Sequence, residues 1–550
     1  MIFLILLHFL AAGAAPVLVR ALGRRAFLLL ALAPAASFAW LLPHVARVTD
    51  GGAPHQQHLT WIPTIGLDLD FVITPLSGVL ALLVTGVGAL VLVYCTWYFR
   101  PADPEIWRFS GVLTAFAGAM LGLVLSDNVY VLYIFWELTT VLSFLLIGHN
   151  PERRANRRAA MNALLVTTFG GLAMLVGLVM LADEAGSSRI QEIIAAKPTG
   201  TAVTIAVLLV LVGAISKSAL VPFHFWLPGA MAAPTPVSAY LHAAAMVKAG
   251  IFLVALLAPT FAGVPGWRPA LLVLGITTML LGGLRALRQY DVKLLLAYGT
   301  VSQLGFLVAM VGAGTRSAAF AGIALVCAHG LFKSTLFLVV GIVDRSVGTR
   351  DLRELSGMRQ ARPVLFVVTL VAAGSMAGLP PFFGFTAKES GLAAFADLGD
   401  DLGWNGWAVL ALVGIVLGSI LTVAYTARFV WGIFAVKPGA ILCMPKQFSP
   451  GFQAAPVVLA AATLVAGFAG HWLTPRLMAY ADELAPGSHE PVLTLWHGFT
   501  LALGLSVICI VAGLALFWWR RPVAAAQHAV VDRLRMPDAE KAYNGVMRGV

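Results

Sequence analysis

Apolar stretches recur from Met1 to Trp519, each near the ~20 residues a helix needs to cross a bilayer, and each bounded by charges, Gly/Pro clusters or polar turns. Segments such as residues 271–281 are apolar on nearly every side instead of alternating with a period of two, so helices are predicted, not barrel strands. Fifteen spans are expected, with centres near residues 10, 36, 85, 118, 138, 171, 213, 246, 278, 302, 330, 379, 420, 462 and 505. The predicted fold class is therefore an all-α polytopic membrane protein of about 15 transmembrane helices.

Composition agrees with that pattern. Of 550 residues 60% are hydrophobic and 11% charged, against about 25% charged in ordinary globular domains, which excludes a soluble chain. The net charge of +11 has a topological cause. Twenty-two Lys and Arg fall in one alternate set of loops, Lys293 among them, and six in the other, so the N-terminus is expected outside and the C-terminus in the cytoplasm of a cell (inner) membrane. The first apolar run reads as a retained span. Cys95, Cys327, Cys443 and Cys509 form no CxxC pair, which leaves a disulfide scaffold, a zinc module and a cysteine-ligated cluster without support.

Five ionisable groups remain inside spans: Glu137, Lys217, Lys248, Lys333 and Lys388. Each costs about 2.5–3.5 kcal/mol even on a mild insertion scale, so each calls for a use. Glu137 with Lys217 reads as a charge pair whose proton affinity is switchable. His242 and Lys248 share the eighth span, and His329 and Lys333, four apart, share one face of the eleventh. Asp344, eleven residues beyond Lys333, lies on the same stripe about 16 Å nearer the cytoplasm if the helix continues, and is a loop residue if it does not.

Two breaks are written into the sequence. Pro222 interrupts the seventh span just after Lys217, and Gly378-Leu-Pro380-Pro381 interrupts the twelfth before Lys388. Lying five spans apart, they suggest two inverted five-helix repeats. The predicted organisation is helices 1–3 (1–108), a first repeat (109–258), a second repeat (259–437), helices 14–15 (438–519) and a polar cytoplasmic tail (520–550). No phosphate loop, nucleophile elbow or HExxH is present, and pairing of His224, His242 or His329 with lysines does not suit haem; no cofactor, metal or nucleic acid is expected.

The stretches Phe135-Trp-Glu137-Leu, Lys217-Ser-Ala-Leu-Val-Pro-Phe-His-Phe-Trp-Leu-Pro228, Pro234-Thr-Pro-Val-Ser-Ala-Tyr-Leu-His242, the run from Asp291 to Gln303 and His329-Gly-Leu-Phe-Lys333 resemble the shared core of antiporter-like subunits. That family includes the large proton-pumping membrane subunits of respiratory complex I and the large subunits of Mrp-type antiporters. Met-Val-Lys248-Ala-Gly, Val343-Asp344-Arg-Ser-Val-Gly-Thr-Arg350-Asp351 and Leu495-Trp-His497-Gly are most similar to the large A-type subunits of the Mrp branch. The resemblance implies fourteen or more helices with inverted repeats, a Glu137–Lys217 pair, a Lys248, His329 and Lys333 relay, and Lys388 at its far end. It implies a proton-translocating subunit of a multisubunit Na+ (or K+)/proton antiporter, a secondary transporter and not an enzyme. A distal pumping subunit of an NADH:quinone oxidoreductase-type complex, or an energising subunit of another transporter, is the alternative. The A-type chains continue into further helices, whereas this sequence stops in a polar segment after Arg521, so a truncated form or N-terminal fragment is expected.

Overall fold

The computed structural model describes residues 1–520 apart from 102, 104, 404, 488 and 489, together with 522, 523 and 525–527. Most of the expected tail, including Arg521, Arg533, Arg535, Lys541 and Arg548, lies outside the described residues. The first apolar run forms α1 (Ile2–Leu22) and α2 (Leu32–Thr49). Between them the chain bends at Gly23, whose φ of 57° is one that L side chains avoid.

Strand β1 (His55–Ile62) pairs antiparallel with β2 (Leu67–Ile73) before the third span, which corrects the all-α expectation locally. The polar–apolar alternation of Leu-Asp-Leu-Asp-Phe carries it: Asp70 points inward, 2% exposed, and meets His58 Nδ1 at 2.6 Å. There follow α3 (Pro75–Tyr98), α4 (Ile106–Leu125), α5 (Val129–Ile147), α6 (Arg154–Ala185) and α7 (Thr201–Lys217). Next come α8 (Thr235–Leu241), α9 (Lys248–Phe261), α10 (Trp267–Ala286), α11 (Val292–Gly312) and α12 (Arg316–Val347). The remainder is α13 (Pro363–Ala377), α14 (Phe383–Ala396), α15 (Asn405–Phe434), α16 (Gly451–Phe468), α17 (Gly470–Ala481) and α18 (Leu501–Trp518).

Among the described residues eleven helical segments are long and apolar enough to cross a membrane, and α7, α9 and α13 are shorter apolar helices. These short ones belong to interrupted spans. The chain leaves helical geometry after Lys217 and again between Ala377 and Phe383, where the prolines predict it, and the Val221–Pro222 and Pro380–Pro381 bonds are cis. A third interruption, residues 242–247, has no counterpart in the sequence expectations, so two broken helices are corrected to three. There the amides of Ala244 and Ala245 both donate to Tyr240 O, and that of Val247 reaches back to Leu241 O at 3.3 Å, a wide turn with no proline or glycine. Each expected span centre falls on a helix or, near 246 and 379, on one of these breaks.

Helices α11 and α12 form the centre, whereas α18 and the α1–α2 run leave most of their apolar surface facing outward. Small residues set the closest approaches. A Cβ added at Gly275 on α10 would lie 2.8 Å from Gly305 O on α11, and one at Gly305 would lie 2.3 Å from Gly275 O, so only glycine admits this helix contact.

Candidate functional site

Half-buried Glu137 and the buried lysines Lys217, Lys248, Lys333 and Lys388, with their neighbours, form one row through the centre of the molecule. It begins on α5, where Glu137 follows Trp136. Helix α6 reaches Glu137 through Gly171, where an added Cβ would sit 2.1 Å from Glu137 Oε1 and 3.4 Å from Trp136 Nε1. Both of those atoms are buried without a hydrogen-bond partner among the described residues, so an unfilled acceptor and an unfilled donor face the same glycine.

Lys217 ends α7 and is fully buried. Its ammonium donates to Trp136 O at 2.9 Å and to Thr140 Oγ1 at 2.7 Å, and lies 4.9 Å from the Trp136 ring. Glu137 and Lys217 therefore meet across one turn of α5, and the ammonium is held by the backbone beside the acid and not by a direct ion pair. The break after Lys217 makes this possible: a continuous helix would carry the chain past α5, whereas α7 stops and leaves its terminal lysine free to turn inward.

The next residue, Ser218, donates from its hydroxyl to Val247 O at 2.9 Å. That carbonyl is the last of the 242–247 turn, directly before Lys248. Lys248 Nζ lies 2.6 Å from His329 Nδ1, both side chains fully buried. One hydrogen fits between two nitrogens at that distance, so one of the pair donates and the other accepts. One turn along α12, Lys333 Nζ approaches Met376 Sδ at 3.4 Å and the Tyr425 ring at 5.8 Å. The adjoining residue, Ala377, accepts from Lys388 Nζ at 3.3 Å. Lys388 thus caps the open C-terminal carbonyls of α13, where a cation is favoured by the helix dipole.

The row so assembled runs from Glu137 through Lys217, Lys248, His329 and Lys333 to Lys388, each step made by a contact, by adjacent residues or, from His329 to Lys333, by one turn of α12. His242 lies beside it, fully buried in the third break, with neither ring nitrogen hydrogen-bonded among the described residues and its ring 5.9 Å from that of Trp226. Asp344 stands on the last turn of α12, half-buried, so the helical reading holds over the loop reading.

Sequence reasoning puts Lys293 in a cytoplasmic loop. The structure instead buries it to 1% exposure in the first turn of α11, where its ammonium donates to Met231 O at 3.0 Å and Ala233 O at 2.5 Å. Its position within Asp291-Val-Lys293, at the capped start of a span, is the one signal the sequence offers. Asp291 caps α11 and holds Arg350 at 3.0 Å, so the charges above Lys293 are paired. A cavity of about 420 Å³, lined by Arg154, Arg158, Asn162, Phe225 and Trp226, opens beside the first break. Among the described residues no group of three His, Cys, Asp or Glu side chains is placed to hold a metal ion.

Residues 126–422, over half of the chain and enclosing nearly all of this row, match the family described as NADH:quinone oxidoreductase/Mrp antiporter, TM. The chain belongs to that family. Residues 61–110 also match the NADH-Ubiquinone oxidoreductase (complex I), chain 5 N-terminus. This family member is 37% identical over 533 residues to the A-type subunit of the Na(+)/H(+) antiporter of Alkalihalophilus pseudofirmus, covering 91% of this chain and 66% of that one. It is 38% identical over 518 residues to the A/B-type subunit of a probable K(+)/H(+) antiporter of Rhizobium meliloti, covering 92% and 51%. It superimposes on a chain of the Mrp complex from Dietzia with a TM-score of 0.86 and 35% identity, covering 99% of this chain and 59% of that one. The chain thus spans between half and two-thirds of the length of these relatives.

Proposed function

We propose that this chain is a proton-translocating subunit of a multisubunit monovalent cation/proton antiporter, Na+ or K+ being the coupled ion. It spans the cell (inner) membrane fifteen times, with the N-terminus outside and the C-terminus in the cytoplasm. The observation that carries this reading is the row of Glu, Lys and His residues, half-buried at Glu137 and buried beyond it, that passes through three helix breaks. Non-helical backbone is tolerated at membrane depth only where it lines a water-filled cavity or is buried in protein, and the breaks place such backbone beside Lys217, Lys248 and Lys388. The two proline-containing breaks support two inverted repeats, residues 109–258 and 259–437, related as in secondary transporters.

A proton added at one member of the row changes the field at the next, because neighbouring charges in a low-dielectric interior interact over several ångströms. At the Lys248–His329 contact one hydrogen lies between the two nitrogens, and it must move to one side before another can take its place, which orders the transfers. Lys217 is the entry switch, since a shift of the Glu137 carboxylate alters the field at its ammonium. His242 is a side branch that leads towards Lys293, and Asp344 and Lys293 together form the cytoplasmic mouth.

The pairing of Glu137 with Lys217 is testable in everted vesicles that carry the chain within its own complex. Glu137→Ala and Lys217→Ala should each lower proton-coupled cation exchange at least about tenfold, and the double variant should lose little more, because the two act as one unit. Mild and additive losses would remove the switch from the mechanism.

A further inference from the structure

One motif singled out in the sequence, Leu495-Trp-His497-Gly, has no part in the row. It lies at the row's end. Glu389 follows Lys388 on α14 and is 3% exposed, and its Oε2 is 3.6 Å from His497 Nδ1, beyond hydrogen-bond length. Glu389 Oε2 and Ser390 Oγ are both buried with no hydrogen-bond partner among the described residues. Both residues line a cavity of about 300 Å³ together with Ser317, Asp397, Glu490 and His497. A buried acceptor oxygen left unfilled costs on the order of 1–3 kcal/mol, more when charged, so two of them side by side point to an occupant.

The cavity sits at the α12 N-terminus, the end opposite Asp344, and so at the outer face. We propose that it is an external site for one alkali cation, held by the Glu389 carboxylate and the Ser390 hydroxyl. It rests on the antiporter reading and names where that reading's cation binds. The charge count favours a singly charged ion. Among the described residues Glu389 is the one deeply buried carboxylate of the cavity, Asp397 is half-buried, Glu490 has an 84% exposed side chain, and divalent cations gather six or more oxygens with several carboxylates.

The remaining charges leave Glu389 to His497. Arg316, on the neighbouring helix start, is engaged by Asp482 at 2.7 Å and by Glu490 at 3.7 Å. Lys388 turns away to Ala377 O. Asp397, the residue after α14, lines the same cavity. His497 Nε2 is 2.9 Å from Thr494 Oγ1, which orients Nδ1 towards Glu389. The Glu389 carboxylate thus lines the cavity beside the terminal lysine of the row.

The test measures binding of radioactive sodium ion to the complex isolated with the tagged chain. Glu389→Gln should lose at least about tenfold in affinity, and Ser390→Ala, which keeps every charge, about threefold. Elution as an intact complex checks folding, and the Ser390 variant reads the site even if Glu389→Gln does not assemble. Unchanged binding in Ser390→Ala overturns the site. Lys217→Ala separates the two readings: it should abolish exchange and leave this binding intact. Normal exchange with unchanged binding in Glu389→Gln rejects the site alone, and sodium binding of the expected pattern without any exchange by wild type rejects the antiporter reading alone.

Discussion

A glycine sets the position of the acid that starts the row. At Gly171 the absent Cβ is the space Glu137 Oε1 occupies, and an alanine there would push the carboxylate aside without altering any charge. Gly171→Ala should leave assembly intact and slow exchange about ten- to hundredfold, since a displacement near 1 Å at a transfer site costs that much. An unchanged exchange rate in vesicles would show that Glu137 has latitude. At this scale the sequence is most readable where a charge stands alone among apolar neighbours, as for Lys248, His329 and Lys333. It is least readable at Lys293, which lies two residues from Asp291 and five from Arg288 and so resembles a loop cation; its burial comes from Met231 and Ala233, sixty residues away.

The breaks divide by cause. Prolines announce those after Lys217 and Ala377, whereas residues 242–247 contain His-Ala-Ala-Ala-Met-Val, a strong helix-forming run, and open only because Ser218 takes Val247 O and the surrounding helices hold the wide turn. If the first break admits water, single cysteines placed from Ser218 to His224 should include some labelled by a small hydrophilic thiol reagent, and uniform protection would mark a dry kink. The loop after α5 yields a separate expectation. His149 is wedged between Phe99 and Phe109, and burial, aided by the nearby Arg108 guanidinium, lowers its pKa from 6.5 to about 4. The unfolded chain binds that proton first, so the stability His149 contributes is present above about pH 6.5 and is lost as pH falls towards 4. The thermal midpoint should drop over that window, and His149→Gln should flatten part of the drop. The hairpin at His55–Ile73 escapes a sequence reading because a single alternating ribbon is short beside long apolar spans.

At the level of the molecule, α12 joins the two halves of the row: it carries His329 and Lys333 at its middle and Asp344 at its end, in one continuous helix. Asp344→Asn should assemble normally, turn over more slowly and partly recover at low cytoplasmic pH, where more protons reach Lys333 unaided. Lys333→Ala should show no recovery, since it removes the group that holds the proton. Equal rates for Asp344→Asn and wild type across pH would place the exit at Lys293 without Asp344. Span positions and the positive-inside bias are legible because the bilayer imposes them on every loop, whereas the order of contacts along the row depends on which helices touch. The hydrogen bond from Lys388 to Ala377 carries a consequence of another kind. Because the ammonium donates to a backbone carbonyl, each arrival or departure of its proton changes the stretching frequency of that one C=O bond. An isotope-labelled carbonyl at Ala377 would therefore act as an internal clock for the final transfer, read by time-resolved infrared absorption after a pH jump.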